Sequence, residues 1–168
     1  MSRIFVMEAV MLAIHGQLLK PGYPVEYILP YTSIMELYEM KDGLEPIMPT
    51  EDDDVHVKKK IGELIAYFED SFNRKKIEKA LQMAWRKSPP LPVDEDVTIT
   101  VLYAVENAEY GEEFDPIETE LILAAIREKS PLLTDQLDFM EKLIEAQIPI
   151  EIYDVEDFEF AVEGDFLL

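Results

Sequence analysis

Four acidic residues stand close to the ends of apolar runs, where their carboxylates could do chemistry together. Glu8 follows the first run, Glu36 lies in the first turn of a helix, Glu120 lies near the start of a later helix, and Asp135 follows Leu132 and Leu133. If those runs are parallel strands, their carboxyl ends meet at one edge, which is where such sheets bind ligands. Clustered carboxylates suit hard ions such as Mg²⁺ or Mn²⁺. This pattern predicts a metal site that hydrolyses a phosphodiester with an activated water.

The same acids also have a purely structural interpretation. Glu36 could complete a capping box with Ser33, and Glu120 could serve only to favour a helix N-terminus. Asp135 could cap the helix that follows it. The chain has 36 acidic residues, so an acid near any one strand end is common. Spacing alone favours this interpretation over a metal site, and both stay open.

The first part of the chain alternates between strand-like and helical patterns. Residues 4–6 predict a buried strand, and apolar residues at helical spacing predict a helix that continues to Leu18. Residues 25–29 form a second apolar run, and residues 34–40 predict a second helix. This order of elements predicts that a strand and a helix repeat as a unit.

In the middle of the chain, a predicted loop and helical pair interrupt the alternation of strands and helices. Residues 41–54 are acidic, contain proline and lack periodicity, which predicts a surface loop. Residues 56–88 carry two apolar faces, which predicts a helical pair with its turn at Asn73. Phe68 and Trp85 fall on these faces and are interpreted as core residues.

The last third returns to alternating elements. Asp115, the following proline and Glu118 predict a capped helix that ends at about Lys129. A strand at 132–133, a helix at 136–146 and a strand at 148–153 follow. The alternation favours an α/β fold with a parallel sheet and helices on both faces.

Residues 97–105 are ambiguous. Val-Thr-Ile-Thr-Val at 97–101 alternates like a strand, whereas the three acids at 94–96 suit the start of a helix. The residues alone lean toward a strand.

Two motifs in the last third resemble the PIN domain, a family of metal-dependent ribonucleases. They are Phe-Asp-Pro-Ile-Glu-Thr-Glu-Leu-Ile-Leu-Ala-Ala-Ile at 114–126 and Pro-Leu-Leu-Thr-Asp-Gln-Leu-Asp-Phe at 131–139. The resemblance spans about residues 4–160 and implies a PIN-like three-layer α/β fold, in which helices flank a central parallel sheet. It implies one domain over 1–168 with a helical insert at about 55–87. It also implies a helix at 97–105, and we follow it there.

The PIN resemblance assigns the same four acids to the catalytic metal site. Glu8, Glu36, Glu120 and the pair formed by Asp135 and Gln136 match the family's acidic positions. Four departures stand out: the first acid is Glu where the family usually has Asp, Ala9 follows it where the family has a hydroxyl residue, the third acid is also Glu rather than Asp, and Gln136 aligns best with the fourth. Each longer side chain moves a ligand oxygen by one methylene, and Mg²⁺ tolerates misplaced oxygens poorly.

Two functional hypotheses follow from the resemblance and its departures. In the first, the protein is a Mg²⁺ or Mn²⁺ dependent phosphodiesterase that acts on single-stranded RNA, with Glu8, Glu36, Glu120 and Asp135 holding the metal. In the second, the protein is a catalytically degenerate PIN-like acidic module that binds a protein partner. The first predicts specific metal uptake, and the second predicts none.

The charge distribution bears on any RNA partner. The net charge is -21, which repels polyanions over most of the surface. Nine of the fifteen Lys and Arg residues nevertheless lie between His56 and Ser88. RNA phosphates could contact two basic runs there: Lys58, Lys59, Lys60 and Arg74, Lys75, Lys76. The solvated face of an amphipathic helix pair explains the same runs, and we favour that interpretation.

Composition excludes several other classes of site. The chain has no cysteine, so a disulfide, a thiolate nucleophile and a Cys-based zinc site are excluded, and a reducing cytoplasm is expected. No segment reaches the length of a membrane span, so no membrane partner is expected. Phosphate-binding glycine loops and the hydrolase nucleophile elbow are absent. A homo-oligomer is compatible with the sequence.

Overall fold

A computed structural model describes the backbone of residues 3–105 and 112–167, with side chains described up to Glu163. It shows an α/β fold built on a six-stranded sheet with the order β3-β4-β2-β1-β5-β6. The strands are β1 (Arg3–Val6), β2 (Val25–Pro30), β3 (Leu91–Pro92), β4 (Val97–Leu102), β5 (Leu132–Leu133) and β6 (Ile152–Tyr153). All neighbours are parallel except the edge strand β3, which is antiparallel to β4.

Helices connect the strands and cover the sheet. They are α1 (Met11–Ile14), α2 (Tyr31–Asp42), α3 (Glu51–Glu69), α4 (Ser71–Ala80), α5 (Pro116–Glu128), α6 (Leu137–Glu145) and α7 (Val155–Leu167), with a 3₁₀ turn at Gly16–Leu19. The predicted first helix is split at His15, where the backbone leaves the helical region before the 3₁₀ turn begins. Among the described residues, no helix is long and apolar enough to cross a bilayer.

The sheet separates two apolar cores, as expected for parallel strands that are buried on both faces. Alternate residues of β1 show the separation, because Phe5 packs into one core and Val6 into the other. The first core receives side chains from α1, α2, α3, α4 and α7, and the second receives them from α5 and α6. The predicted three-layer α/β arrangement is thereby confirmed.

Helix α7 has no counterpart among the helices predicted from the sequence. Its Phe158 is buried and stacks edge-on against Phe5, with the ring centroids 4.9 Å apart. Tyr153 of β6 contacts the same ring at 5.6 Å. This aromatic cluster joins the C-terminal segment to the centre of the sheet.

The prediction of a helix at 97–105 is wrong, because Val97–Leu102 forms β4. This strand pairs with β2 along six consecutive residues, from Val97 opposite Val25 to Leu102 opposite Pro30. β-branched residues fill most of the run and suit a pleated, buried surface. The pattern of the residues was a better guide here than the resemblance.

The acidic loop predicted at 41–54 is shorter in the structure. Helix α2 continues to Asp42, and α3 begins at Glu51 with Thr50 as its cap, which accepts a hydrogen bond from the Asp53 amide at 3.2 Å. The loop's acids at 51–54 therefore form the first turn of α3, where the helix dipole favours negative charge. Asp54 accepts hydrogen bonds from the amides of Ile47 and Met48, which ties the remaining loop to α3.

The predicted helical pair is present, but its turn and its end differ. The turn lies at Asp70, whereas Asn73 lies inside α4 and donates its side-chain amide to the Tyr67 carbonyl at 2.8 Å. Helix α4 ends at Ala80, so Trp85 lies in the following loop with a positive φ of 64°. Trp85 is half-buried beside the second core, where the Arg127 guanidinium lies 4.5 Å from its ring centroid.

Candidate acidic site

The order of the strands identifies one crevice in the sheet. From β1 the chain adds β2 and then β4 on one side, whereas β5 and β6 lie on the other side of β1. The strand order therefore reverses between β1 and β5, and α/β sheets bind ligands at the carboxyl ends of the strands beside such a reversal. Glu8 follows β1 by two residues, and Asp135 follows β5 by two residues.

Glu8 is a buried carboxylate at this reversal. Glu8 is only 8% exposed, and its Oε1 accepts a hydrogen bond from Nε2 of Gln136 at 3.3 Å. The Glu8 pKa is raised to about 7, mainly by burial and then by the charges of neighbouring acids, in the order Glu36, Asp115, Asp135 and Glu118. Glu8 therefore exchanges a proton close to neutral pH.

Glu36 is the second carboxylate with a strongly shifted pKa. Burial raises the Glu36 pKa to about 7, with smaller contributions from Asp115, Glu39 and Glu120. Because the two glutamates lie on the elements after β1 and β2, adjacent parallel strands bring their charges together. The charge of Glu36 is the largest contribution from a neighbouring charge to the raised Glu8 pKa.

Ser33 holds the start of α2 against the Glu8 loop, which corrects its predicted role as a helix cap. Helix α2 begins at Tyr31 directly after β2, and the Ser33 hydroxyl donates to the Pro30 carbonyl at 2.8 Å. The same hydroxyl accepts from the Ala9 amide at 3.2 Å. The capping box of Ser33 with Glu36 is therefore wrong, and the Glu36 carboxylate is left for other contacts.

Glu120 lies on α5 and is also buried, at 5% exposure. The Thr32 hydroxyl of α2 donates a hydrogen bond to Glu120 Oε2. This contact joins the helix that carries Glu120 to the helix that carries Glu36. The charge of Glu120 also raises the Glu36 pKa, so Glu120 is close enough to act on the same site.

Two further acids of the site, Asp115 and Glu118, form the predicted capping box of α5. Asp115 Oδ1 accepts from the Glu118 amide at 2.7 Å, and Glu118 Oε1 accepts from the Asp115 amide at 3.0 Å. Lys142 of α6 donates to the same Glu118 oxygen at 2.6 Å. The sequence predicts these acids only as helix caps, and it does not point to Lys142, because a contact between separate helices leaves no local signal.

Asp135 occupies the outer part of the site. Its Oδ2 lies 2.7 Å from Nε2 of His15, and both side chains are partly exposed, at 32% and 24% respectively. The predicted cap by Asp135 is not formed, because α6 begins after Gln136 without a side-chain cap. His15 therefore pairs with a candidate site residue.

The structure therefore brings all four predicted acids into one electrostatic neighbourhood. We call the group formed by Glu8, Glu36, Asp115, Glu118, Glu120 and Asp135 the acidic cluster. Its members interact through the pKa shifts of Glu8 and Glu36. Within the part of the chain that the structure describes, however, no three acidic or histidine side chains converge closely enough to hold a metal ion by themselves.

The basic runs on α3 and α4 make local contacts. Lys58 pairs with Asp54 at 3.3 Å, Lys60 with Glu63 at 3.2 Å, and Arg74 with Glu78 at 3.6 Å. Lys76 donates to the Pro90 carbonyl at 2.9 Å. These contacts fit the solvated helix face that the sequence favours, and RNA binding at these residues stays a prediction.

The chain matches no protein-family model and no curated protein sequence.

Proposed function

We propose that this protein is a Mg²⁺ or Mn²⁺ dependent phosphodiesterase, with single-stranded RNA as its substrate class. The observation that carries this proposal is the pair of Glu8 and Glu36. Both are carboxylates with a pKa raised to about 7 beside the strand-order reversal. Among the described residues, no lysine or arginine pairs with either of them. Such a pair lacks a compensating positive charge, which a divalent ion would supply.

The donor set fits Mg²⁺ better than an ion that needs a complete protein cage. Mg²⁺ sites commonly use one or two carboxylates and take their other ligands from water and substrate phosphate. Two glutamates can meet that requirement even though no group of three is assembled among the described residues. Glu8 and Glu36 would hold the ion, while Glu120 and Asp135 would orient water and substrate around it.

When bound, the ion would supply a more acidic water and a polarised phosphate oxygen. The residues of the chain would do the remaining work. Glu8 and Glu36, with pKa values of about 7, can exchange protons at neutral pH. His15 is held by Asp135 at the outer part of the site, where its ring would border an approaching phosphate. The PIN-like motifs favour RNA as the polymer that carries this phosphate.

The test is calorimetric titration of Mn²⁺ into the protein and its Glu36→Gln and Asp42→Asn variants. Asp42 lies at the end of the same helix, is exposed and does not contribute to the raised pKa of Glu8 or Glu36, so its substitution removes an equal charge outside the cluster. We expect saturable binding that weakens by at least about 100-fold in Glu36→Gln and changes little in Asp42→Asn. Binding should strengthen from about pH 6 to pH 8, because the ion displaces protons from the pair.

A fluorescent single-stranded RNA assay extends the same comparison to catalysis. Cleavage should require Mn²⁺ or Mg²⁺ and should fall to background in Glu36→Gln but persist in Asp42→Asn. Weak uptake of metal that is identical in all three proteins would mean counterion association and would overturn the proposal. Saturable metal binding without cleavage of RNA would keep the metal site and reject this substrate.

A second function, an acidic module that binds a basic protein partner, is favoured by one specific contact. The Gln136 amide donates to Glu8 at the position where the family motif has an acid. A neutral donor there satisfies the buried carboxylate without metal. Replacing Gln136 by Glu separates the two functions, because a metal enzyme should bind Mn²⁺ at least as tightly, whereas a module without metal should only lose stability from added repulsion.

A further inference from the structure

A cavity of about 350 Å³ lies between α1, the 3₁₀ turn, α3 and the sheet. Its deep wall is apolar and includes Leu12, Leu64 and Ile99, all of which are buried. Its polar lining residues are exposed or partly exposed and therefore mark the opening: Lys20, His56, Lys60 and Glu63. An apolar interior with a few polar groups at one end is the usual composition of a small-molecule site.

Small residues create the empty space. Ala13 and Gly16 line the cavity at the point where α1 ends and the chain tightens into the 3₁₀ turn. A β-carbon added at Gly16 would meet no atom within 4 Å. The opposite wall is fixed, because the Tyr67 hydroxyl donates to the Pro92 carbonyl at 2.7 Å. The cavity is therefore bounded by helix and sheet elements that pack around it without filling it.

The cavity is separate from the acidic cluster. No residue of the cluster lines it, and Ile99 lies three residues before the carboxyl end of β4. A ligand bound there would not contact Glu8 or Glu36. An inference about this cavity is therefore independent of the proposed phosphodiesterase activity.

The charge at the opening is opposite in sign to that of the whole chain. The residues that line the cavity include two lysines, Lys20 and Lys60, and one acid, Glu63. His56 adds positive charge when it is protonated. Lys60 contacts Glu63 at 3.2 Å, and both side chains are about half exposed, so a ligand carboxylate would compete with Glu63 for the ammonium group. In a chain with a net charge of -21, this local excess of cations favours an anion at one place.

We infer that the cavity binds a small amphipathic carboxylate, with an apolar body inside and its carboxylate between Lys20 and Lys60. The volume lies at the small end of the range of about 300–1,000 Å³ for ligand pockets. It suits a single ring or a short aliphatic chain. Burial of the apolar body supplies the affinity, and the lysines select the anion over a neutral molecule of the same shape.

Calorimetric titration with octanoate, and with octanamide as its neutral isostere, tests both parts of this inference. We expect one octanoate to bind per chain and octanamide to bind about fivefold or more weakly. Lys60→Gln should weaken octanoate binding by about fivefold, since a partly exposed charge pair contributes modestly. Lys59→Gln is the matched control, because Lys59 is the neighbouring exposed lysine and does not line the cavity.

Ala13→Leu tests the location by filling the cavity, and it should abolish octanoate binding while circular dichroism shows retained helix. If this variant does not fold, the comparison of Lys60→Gln with Lys59→Gln still decides the question. Equal binding by those two variants, equal binding of octanoate and octanamide, or no saturable binding by the unaltered protein would overturn the inference. Glu36→Gln should bind octanoate normally, which separates this test from the test of the metal site.

Discussion

The acidic cluster and the charged face of α3 and α4 differ in where their charged side chains lie and in whether a charge of opposite sign lies beside them. On the charged face, Lys58, Lys60 and Arg74 each lie beside an acid three or four residues away on the same helix. In the acidic cluster, Glu8 and Glu36 are brought together from different elements. Burial is the largest cause of the raised pKa of each, and neighbouring charges contribute less. An exposed local ion pair changes the free energy of unfolding little. Burial of like charges without a cation destabilises the folded state. Burial, and not the number of charges, distinguishes the two regions.

The largest expected effect comes from Glu8→Gln, measured by urea unfolding at several pH values. The Glu8 pKa is raised from 4.5 to about 7, so the folded state holds a proton that the unfolded state has lost between these values. Stability therefore falls as pH rises from about 4.5 to about 7, and the variant should remove most of that fall. We expect Glu8→Gln to be more stable by about 2–3 kcal/mol at pH 8 and similar at pH 4. A loss of stability at pH 8 would show that the carboxylate is held by favourable contacts instead.

An intermediate effect is expected from Lys142→Met, which removes the cation that contacts Glu118 of the acidic cluster. Glu118 is buried and receives Lys142 at 2.6 Å, so the variant leaves a buried carboxylate without its cation. Unfolding at pH 8 should show a loss of about 1–2 kcal/mol, reduced by the partial exposure of Lys142. The double variant with Glu118→Gln should recover most of the loss, and a failure to recover would assign the effect to packing of the Lys142 stem.

The smallest effect is expected from Arg74→Gln on the charged face. Both partners of the pair with Glu78 are well exposed, at 70% and 61%, and the atoms are 3.6 Å apart. The free energy of unfolding should change by less than about 0.5 kcal/mol, and added salt should reduce even that difference. A change comparable with that of Lys142→Met would contradict the contrast between the two regions.

Much of this contrast could be predicted from the sequence, because it depends on local patterns. Apolar periodicity identified α3 and α4, and the proline and acids at 115–118 identified α5 with its capping box. The four acids were predicted at one sheet edge because they follow strands, which requires only chain order. Val97–Leu102 showed its strand character in its own alternation, and the error there came from preferring the resemblance.

The remaining features depend on contacts that no local pattern records. Gln136 and Glu8 are 128 positions apart, and Lys142 reaches Glu118 from a different helix. The pKa shifts depend on how deeply each carboxylate is buried, which follows from the packing of whole layers. The cavity beside α1 depends on a helix that stops after Ile14, where the periodicity of apolar residues continued to predict a helix.

The chain has a single tryptophan, and its position makes it a natural spectroscopic reporter. The Trp85 backbone amide donates a hydrogen bond to the Tyr103 carbonyl at 2.7 Å, and the guanidinium of Arg127 of α5 lies over the Trp85 ring. Its emission therefore follows the docking of α5, the helix that carries Glu118 and Glu120, whereas circular dichroism averages over helices on both faces. If the two signals separate during unfolding, the layer that carries half of the acidic cluster detaches before the rest of the molecule melts.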